Sequence, residues 1–338
     1  MSGKEHMGWG RPPLASGALD RDAETRADAG LLRAAWSDPA ARVLRLRGTD
    51  VPVVEAAGVT RLALVPTRGE FTLSWNGRDA RHVYLGRAQG APVFAVSASA
   101  DGTEHGDGSA ENTGGVDTVE ADTAGGDIVE GERWAHAFAV GGDLGPTDRE
   151  VLAVASGLLR WHESSQFSPR DGGDTHPVLG GWARHDAHGG EHFPRTDPAV
   201  IVLVEHEDRV LLGSNALWES GRFSLLAGFV EAGESLEQTV LREVFEESGA
   251  RLGEIEYVGS QPWPFPRSLM LGFRARLAPG ADPADLRPDP EEISELRWFT
   301  RDEVRDPAPG IVLPGGLSIA RWMLDSWCAE SDRGGEQR

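Results

Sequence analysis

The 338-residue chain has a single cysteine, Cys328, which excludes an internal disulfide framework and a cysteine-based zinc centre. Cys328 itself reads either as a reactive thiol or, more simply, as a small apolar filler on a terminal helix. Basic residues are also short: 33 Lys and Arg stand against 54 Asp and Glu, a formal net charge of −21. That balance argues against general nucleic-acid binding, which depends on neutralising phosphates. It leaves room for a local basic groove, or for an anionic substrate held through bridging cations. No basic-then-apolar leader opens the chain, and no run approaches the roughly 20 apolar residues of a membrane span. A soluble cytoplasmic protein with no membrane partner is the expectation. The strand–Gly-x-Gly-x-x-Gly–helix unit of dinucleotide-linked dehydrogenases is missing as well.

What is present divides by composition. Residues 1–30 are polar and rich in Gly, Ala and Asp, and are expected to form a flexible arm. Residues 31–150 carry short strand-like runs, Arg42–Arg47, Leu62–Pro66, His82–Leu85 and Val93–Val96, separated by turn signals such as Asn76-Gly77 and Gln89-Gly90. Within them residues 99–132 have many Gly, Asp, Glu, Ser and Thr and no Lys or Arg until Arg133. Such a stretch cannot bury enough apolar surface to offset its ordering entropy, so a disordered acidic insertion is expected. Residues 151–195 begin with helical spacing (Val151, Val154, Leu158, Trp161) and continue into a Gly-rich stretch. Residues 196–327 read as one α/β domain opening on a buried strand, Pro198–Val204, and residues 328–338 as a frayed polar tail.

The chemistry-bearing stretch runs from Gly228 to Ala250 as a loop followed by a helix. Ser235 and Gln238 are spaced for a capping box, and Gly249 stands where a left-handed cap ends a helix. Leu236, Val240 and Val244 form the apolar stripe, which Leu241 and Phe245 extend. On the other face Glu243, Glu246 and Glu247 lie at i, i+3 and i+4, so three like charges converge. A solvated acidic face would explain three glutamates alone. Divalent cations would also compensate them, since Mg²⁺ favours carboxylate oxygens and bridges to phosphates. Arg242, four residues before Glu246, is placed to hold that carboxylate.

The fixed positions of this stretch, Gly228, Glu234, Arg242-Glu243, Glu246-Glu247 and Gly249, resemble the signature of the Nudix hydrolases, with Ala250 the weak position. The resemblance implies that Glu243 and Glu247 are principal ligands of catalytic Mg²⁺ or Mn²⁺, that Glu246 assists, and that the Ala227 carbonyl contributes. It also implies that Glu246 or Glu247 takes a proton from the attacking water.

A second run, Ser260-Gln-Pro-Trp-Pro-Phe-Pro-Arg-Ser268, follows. Pro262, Pro264 and Pro266 fix φ at alternate positions and stiffen an extended segment, which would present Trp263 and Phe265 for stacking on flat heterocycles. The run resembles the signature of the NAD(+) diphosphatase (NADH pyrophosphatase) family of Nudix hydrolases, a family also linked to removal of NAD caps from RNA. The resemblance implies that Gln261, Pro262, Trp263, Pro264, Phe265, Pro266, Arg267 and Ser268 line a dinucleotide site. It further places Glu292 as a late metal ligand, Ala320 as a backbone contact to substrate and Phe193 as an aromatic near it. Members of the family often carry a zinc ribbon of two Cys-x-x-Cys pairs. Here Ser168, Asp171, His185 and His188 stand at those positions, with His176 nearby, and Ser is a poor zinc ligand. A metal-free remnant held by Trp182 and other packing is expected over an Asp/His zinc site.

The fold expectation is therefore α/β: a C-terminal Nudix α/β/α sandwich with a mixed sheet, preceded by a β-rich, Nudix-like N-terminal domain and a degenerate zinc-ribbon-like linker. The activity expectation is hydrolysis of the diphosphate of NAD(H) to nicotinamide mononucleotide and AMP. Alternatives are the same cut on 5′ NAD-capped RNA, with Arg267 and Arg195 as cationic contacts, or an inactive Nudix-fold nucleotide sensor. The resemblance also implies a homodimer.

Overall fold

Period-two alternation along one strand decides the layering of the C-terminal half. In β1 (Asp197–His206), Val200, Val202 and Val204 enter one core with Leu226, Val240, Val244 and Phe273. Ile201 and Leu203 enter another with Phe223, Met323, Leu324 and Trp327. Successive side chains of a strand point to opposite faces, so a continuous apolar run means that both faces are covered. Each large apolar side chain buried this way contributes roughly 1.5–3 kcal/mol.

These features belong to a computed structural model that describes residues 9–74, 80–98 and 129–335, with side chains described to Glu330. The chain forms two units, one from Gly17 to Arg195 and one joining the residues up to Ser16 with those from Thr196 onward.

In the second unit β1 is followed by β2 (Arg209–Asn215), β3 (Leu226–Phe229), α1 (Leu236–Ser248), β4 (Leu252–Trp263), β5 (Ser268–Leu277), β6 (Ile293–Thr300), α2 (Arg301–Arg305) and α3 (Ile319–Gly335). The sheet order is β4-β5-β1-β2-β6, with β3 paired to β1. β1 and β5 run parallel, whereas β1 with β2, β2 with β6 and β4 with β5 are antiparallel. The sheet is mixed, with α1 packed in the core of one face and α3 in the core of the other. This is the α/β/α sandwich expected.

Two boundaries differ from the sequence reading. Residues 9–30 are not a loose arm: Trp9, Leu14 and Leu19 are buried, and Ala23–Ala27 is helical. Spaced singly among Gly and Asp, these apolar residues give no periodic signal. Trp9 joins the core over α3; its indole Nε1 donates to Glu330 and its carbonyl accepts from Trp322 Nε1. At the other end α3 continues to Gly335, and Cys328 is buried in that core, so residues 328–335 are helical rather than frayed.

The first unit holds a five-stranded sheet built from Leu19–Asp20, Val83–Ala88, Ala91–Ser97, Arg42–Leu46 and Val65–Pro66, in that spatial order. A three-stranded sheet joins Val59–Leu62, Asp50–Ala56 and Arg133–His136. Gln89 and Gly90 both take left-handed backbone at their tight turn, the geometry a two-residue hairpin requires. Helix Pro146–Ser164 buries Val151, Val154, Leu158 and Trp161. Asn76-Gly77 and residues 99–128 of the acidic stretch lie outside the described residues. No helix among the described residues is long and apolar enough to cross a membrane.

Candidate active site

Helix α1 starts and stops where its sequence says. Ser235 accepts from the Gln238 N–H while the Gln238 side chain accepts from the Ser235 N–H, satisfying two orphan donors. Gly249 closes the helix at φ 70°. Val240 and Val244 are buried, but Leu241 and Phe245 remain 44% and 48% exposed, so the apolar stripe is narrower than expected.

Arg242 organises the polar face. Its Nε donates to Glu234 at 2.6 Å. One terminal nitrogen donates to Glu243 at 2.9 Å and Glu246 at 3.0 Å. The other donates to the Phe229 carbonyl at 3.0 Å and Glu234 at 2.8 Å. A guanidinium has five N–H donors, and all five are used. Beyond the single Glu246 contact expected, the residue locks the loop before α1 to three carboxylates. Hydrogen bonds from Arg242, the Glu231 N–H and Thr239 hold the Glu234 carboxyl down at about 2. Glu234 is thus an anchor, a role that spacing alone did not reveal.

Gly228 leaves room for the side chain that lies against its strand. A β-carbon there would overlap the carboxylate of Glu243. The strand before α1 therefore lets a charged side chain lie directly on its backbone.

Glu247 is the most confined acid. It is 7% exposed and accepts a hydrogen bond from the Ala227 N–H at 3.2 Å. Burial, followed by the charge of Glu243 and then of Glu292 and Asp289, pushes its carboxyl up to about 8. Burial also raises Glu243, with Glu246 and Glu292 adding to the shift against Arg242. Glu292 therefore faces the α1 acids across the fold although 45 residues separate it from Glu247. Its carbonyl accepts from the Ala216 N–H at 2.7 Å. Asp289 joins this field as well; nothing in a one-dimensional pattern points to it.

Hard carboxylate oxygens crowded until their proton affinity rises suit a divalent cation. Glu243 and Glu292 share this field with Glu247, and Ala227 meets Glu247 through its backbone N–H. Among the described residues, no three His, Cys, Asp or Glu side chains stand close enough together to hold a metal ion.

The Pro/aromatic run is not one extended segment. Gln261–Trp263 ends β4, residues 264–267 turn, and β5 begins at Ser268, paired with Trp263. Prolines at alternate positions fix φ but leave ψ free to turn. The Trp263 and Phe265 rings meet edge to face at 5.5 Å and 81°, both partly exposed, while Pro264 is buried. Pro262 is half-buried and Pro266 exposed; Ser268 is 9% exposed. Arg267 pairs with Asp197 at 2.8 Å.

Gln261 departs most from its expected role. It is 0% exposed. Its Nε2 donates to the carbonyls of Pro13 at 2.7 Å and Leu317 at 2.9 Å, and its Oε1 accepts from the Ile319 N–H at 2.7 Å. The amide is spent within the fold, so Gln261 does not line an open site. Ala320, next to Ile319, is 3% exposed at the start of α3. Phe193 and Arg195 belong to the first unit, where Phe193 is 60% exposed.

The ribbon-like stretch is a three-stranded sheet of Thr175–Val178, Ala183–Asp186 and Glu191–His192. Asp171 pairs with His188 at 3.2 Å, and its carboxyl lies below the usual range, chiefly through the Gly173 N–H and also through Ser168. His185 lies opposite His176 across two strands and pairs with Glu191 at 3.3 Å. Trp182 donates to the Tyr84 carbonyl and lies under Arg26 at 4.4 Å.

Residues 195–316 match the NUDIX domain model. The chain is 48% identical over 195 residues to the NAD-capped RNA hydrolase NudC of Mycobacterium bovis BCG, covering 54% of this chain and 61% of that relative. It is 38% identical over 206 residues to the NAD-capped RNA hydrolase NudC of Pseudomonas syringae pathovar tomato, covering 60% and 70%. A crystal structure of a NUDIX hydrolase from Nitrosomonas europaea is 26% identical at a TM-score of 0.40, covering 50% of this chain and 93% of that one. The match thus spans about three fifths of the mycobacterial relative's length.

Proposed function

The chain belongs to the Nudix hydrolase family, and from that premise we propose that it cuts the diphosphate bond of NAD(H), releasing nicotinamide mononucleotide and AMP. The observation that carries the reading is the charge arrangement on α1. Arg242 spends all five donors on Glu234, Glu243, Glu246 and the Phe229 carbonyl, leaving Glu247 buried among like charges. A catalytically silent sensor has no need to hold that many acids together.

Bound Mg²⁺ or Mn²⁺ would screen the diphosphate and sharpen a water nucleophile. The chain's own part is positional, since phosphoryl transfer asks for little covalent work from the protein. Glu243, Glu247 and Glu292, with Ala227, are the assigned cation donors. Arg242 fixes Glu243 and Glu246 in place. Glu246, more exposed than its neighbours, or Glu247 accepts the proton of the attacking water. Trp263 and Phe265 offer a ring face for a flat heterocycle.

The names of the relatives favour a second substrate form with the same bond, a 5′ NAD cap on RNA. A homodimer in the cytoplasm and a ribbon without zinc belong to the same reading.

Incubating the protein with NADH and Mg²⁺ or Mn²⁺ and separating the products tests it. Mononucleotide plus AMP is expected. Nicotinamide plus ADP-ribose, or no turnover on either NADH or NAD-capped RNA, refutes it.

A further inference from the structure

We propose that Gln261 is a positioning residue, and that through it the segment Trp9–Ser16 sets where the Trp263–Phe265 turn and the first turn of α3 stand. The inference rests on the NAD(H) reading for its kinetic half only.

A side-chain amide carries two N–H donors and one carbonyl oxygen. In Gln261 both donors are used, on Pro13 and Leu317, and the oxygen takes the Ile319 N–H. With no solvent exposure, releasing any of them toward a ligand would strand a buried polar group. The three partners lie on three separate pieces of chain. Pro13 is in the N-terminal segment, Leu317 in the loop before α3, and Ile319 is the first residue of α3. Trp263 follows Gln261 by two residues and Ala320 follows Ile319 by one. One buried amide therefore fixes the aromatic turn and the start of α3 together.

The N-terminal segment is held independently at both ends. Trp9 is pinned by Glu330 and Trp322. Leu14 is 3% exposed with left-handed backbone at φ 64°, a conformation that non-glycine residues keep only when packing holds them there. Between these anchors, Ala15 donates to the Pro12 carbonyl. A β-carbon on Gly259 would stand 3.1 Å from Trp322 and 3.3 Å from Pro12, so the segment lies against β4 two residues before Gln261. A residue more than 240 positions away in sequence is thus hydrogen-bonded to the side chain that precedes the aromatic turn.

The test compares full-length wild type, Gln261→Leu, Leu14→Ala and the double variant by hydrogen exchange without substrate, then by NADH kinetics. Each single variant is expected to speed exchange in residues 262–271 and 318–323 together, by about tenfold. KM should rise about tenfold with kcat within about threefold, and the double variant should be no worse than the more damaged single one. Raised KM in Gln261→Leu with wild-type exchange in 318–323 would mean direct substrate contact and overturn the proposal. So would a Leu14→Ala variant that leaves both segments unchanged, or losses that multiply in the double variant. Should Gln261→Leu fail to fold, Leu14→Ala carries the exchange test alone. A wild-type protein inactive on NADH would sink the substrate reading and leave the exchange result standing.

Discussion

Glu247 and Gly228 carry the sharpest consequences of single side chains. Glu247→Gln keeps the size of the side chain and removes its ability to ionise, which its surroundings resist. Turnover should fall by about three orders of magnitude or more, while the melting temperature of the metal-free protein at neutral pH should hold or rise. Steady-state rates paired with a thermal melt check this; near-normal rates would refute the ligand role. Gly228→Ala adds one methyl group where the Glu243 carboxylate lies. The carboxylate or the strand must shift, and misplacement by about 1 Å can cost about a hundredfold in rate. The expected outcome is a folded protein, by circular dichroism, with at least that loss. At this scale the sequence was informative about type and less so about use. Glu243, Glu246 and Glu247 follow from helical spacing, and Gly228 and Glu234 from the motif. That Glu234 anchors Arg242, that Asp289 joins the field on Glu247, and that Gln261 is spent inside the fold depend on what lies across the chain.

Helix α1 behaves as a unit because Arg242 ties it to the preceding loop. Lysine keeps the charge but has three donors on a point-like head and cannot copy a five-bond fork. Arg242→Lys should therefore release Glu234 and the Phe229 carbonyl, destabilise the protein by about 1–3 kcal/mol, and lower kcat more than it raises KM. Urea unfolding and steady-state kinetics read the two effects; unchanged stability would show that the network is ornamental. The helix limits were legible because Ser235, Gln238 and Gly249 act on neighbours in the chain. The Pro-Trp-Pro-Phe-Pro run was misread as extended because proline constrains φ only, and the pairing of Ser268 with Trp263, a tertiary contact, chose the turn.

For the whole molecule the raised Glu247 links stability, protons and cations. Its folded value of about 8 lies above its ordinary 4.5, so the folded state binds more protons between these values. Its contribution to the metal-free protein is fully present below about pH 4.5 and is lost as pH rises through about 8. A divalent cation must displace that proton, so binding strengthens with pH, and stabilisation by a ligand follows its occupancy. Mn²⁺ should therefore raise the melting temperature more at about pH 8.5 than at about pH 6. Glu247→Gln should flatten that difference. Calorimetry at the two pH values, with and without the ion, decides it; an equal gain at both would separate Glu247 from the cation.

By itself the sequence determined what depends on neighbours along the chain: the caps and acid face of α1, the two-faced burial of β1, and the family signature around Glu243 and Glu247. These are fixed by backbone periodicity and short-range hydrogen bonds. Only the tertiary structure decided that Trp9–Ser16 belongs with the C-terminal unit, that Glu292 and Asp289 add to the charge around Glu247, and that the Gln261 amide joins Pro13, Leu317 and Ile319. Burial and like-charge crowding arise when distant segments are brought into contact, and no local pattern of residue types encodes which segments those will be.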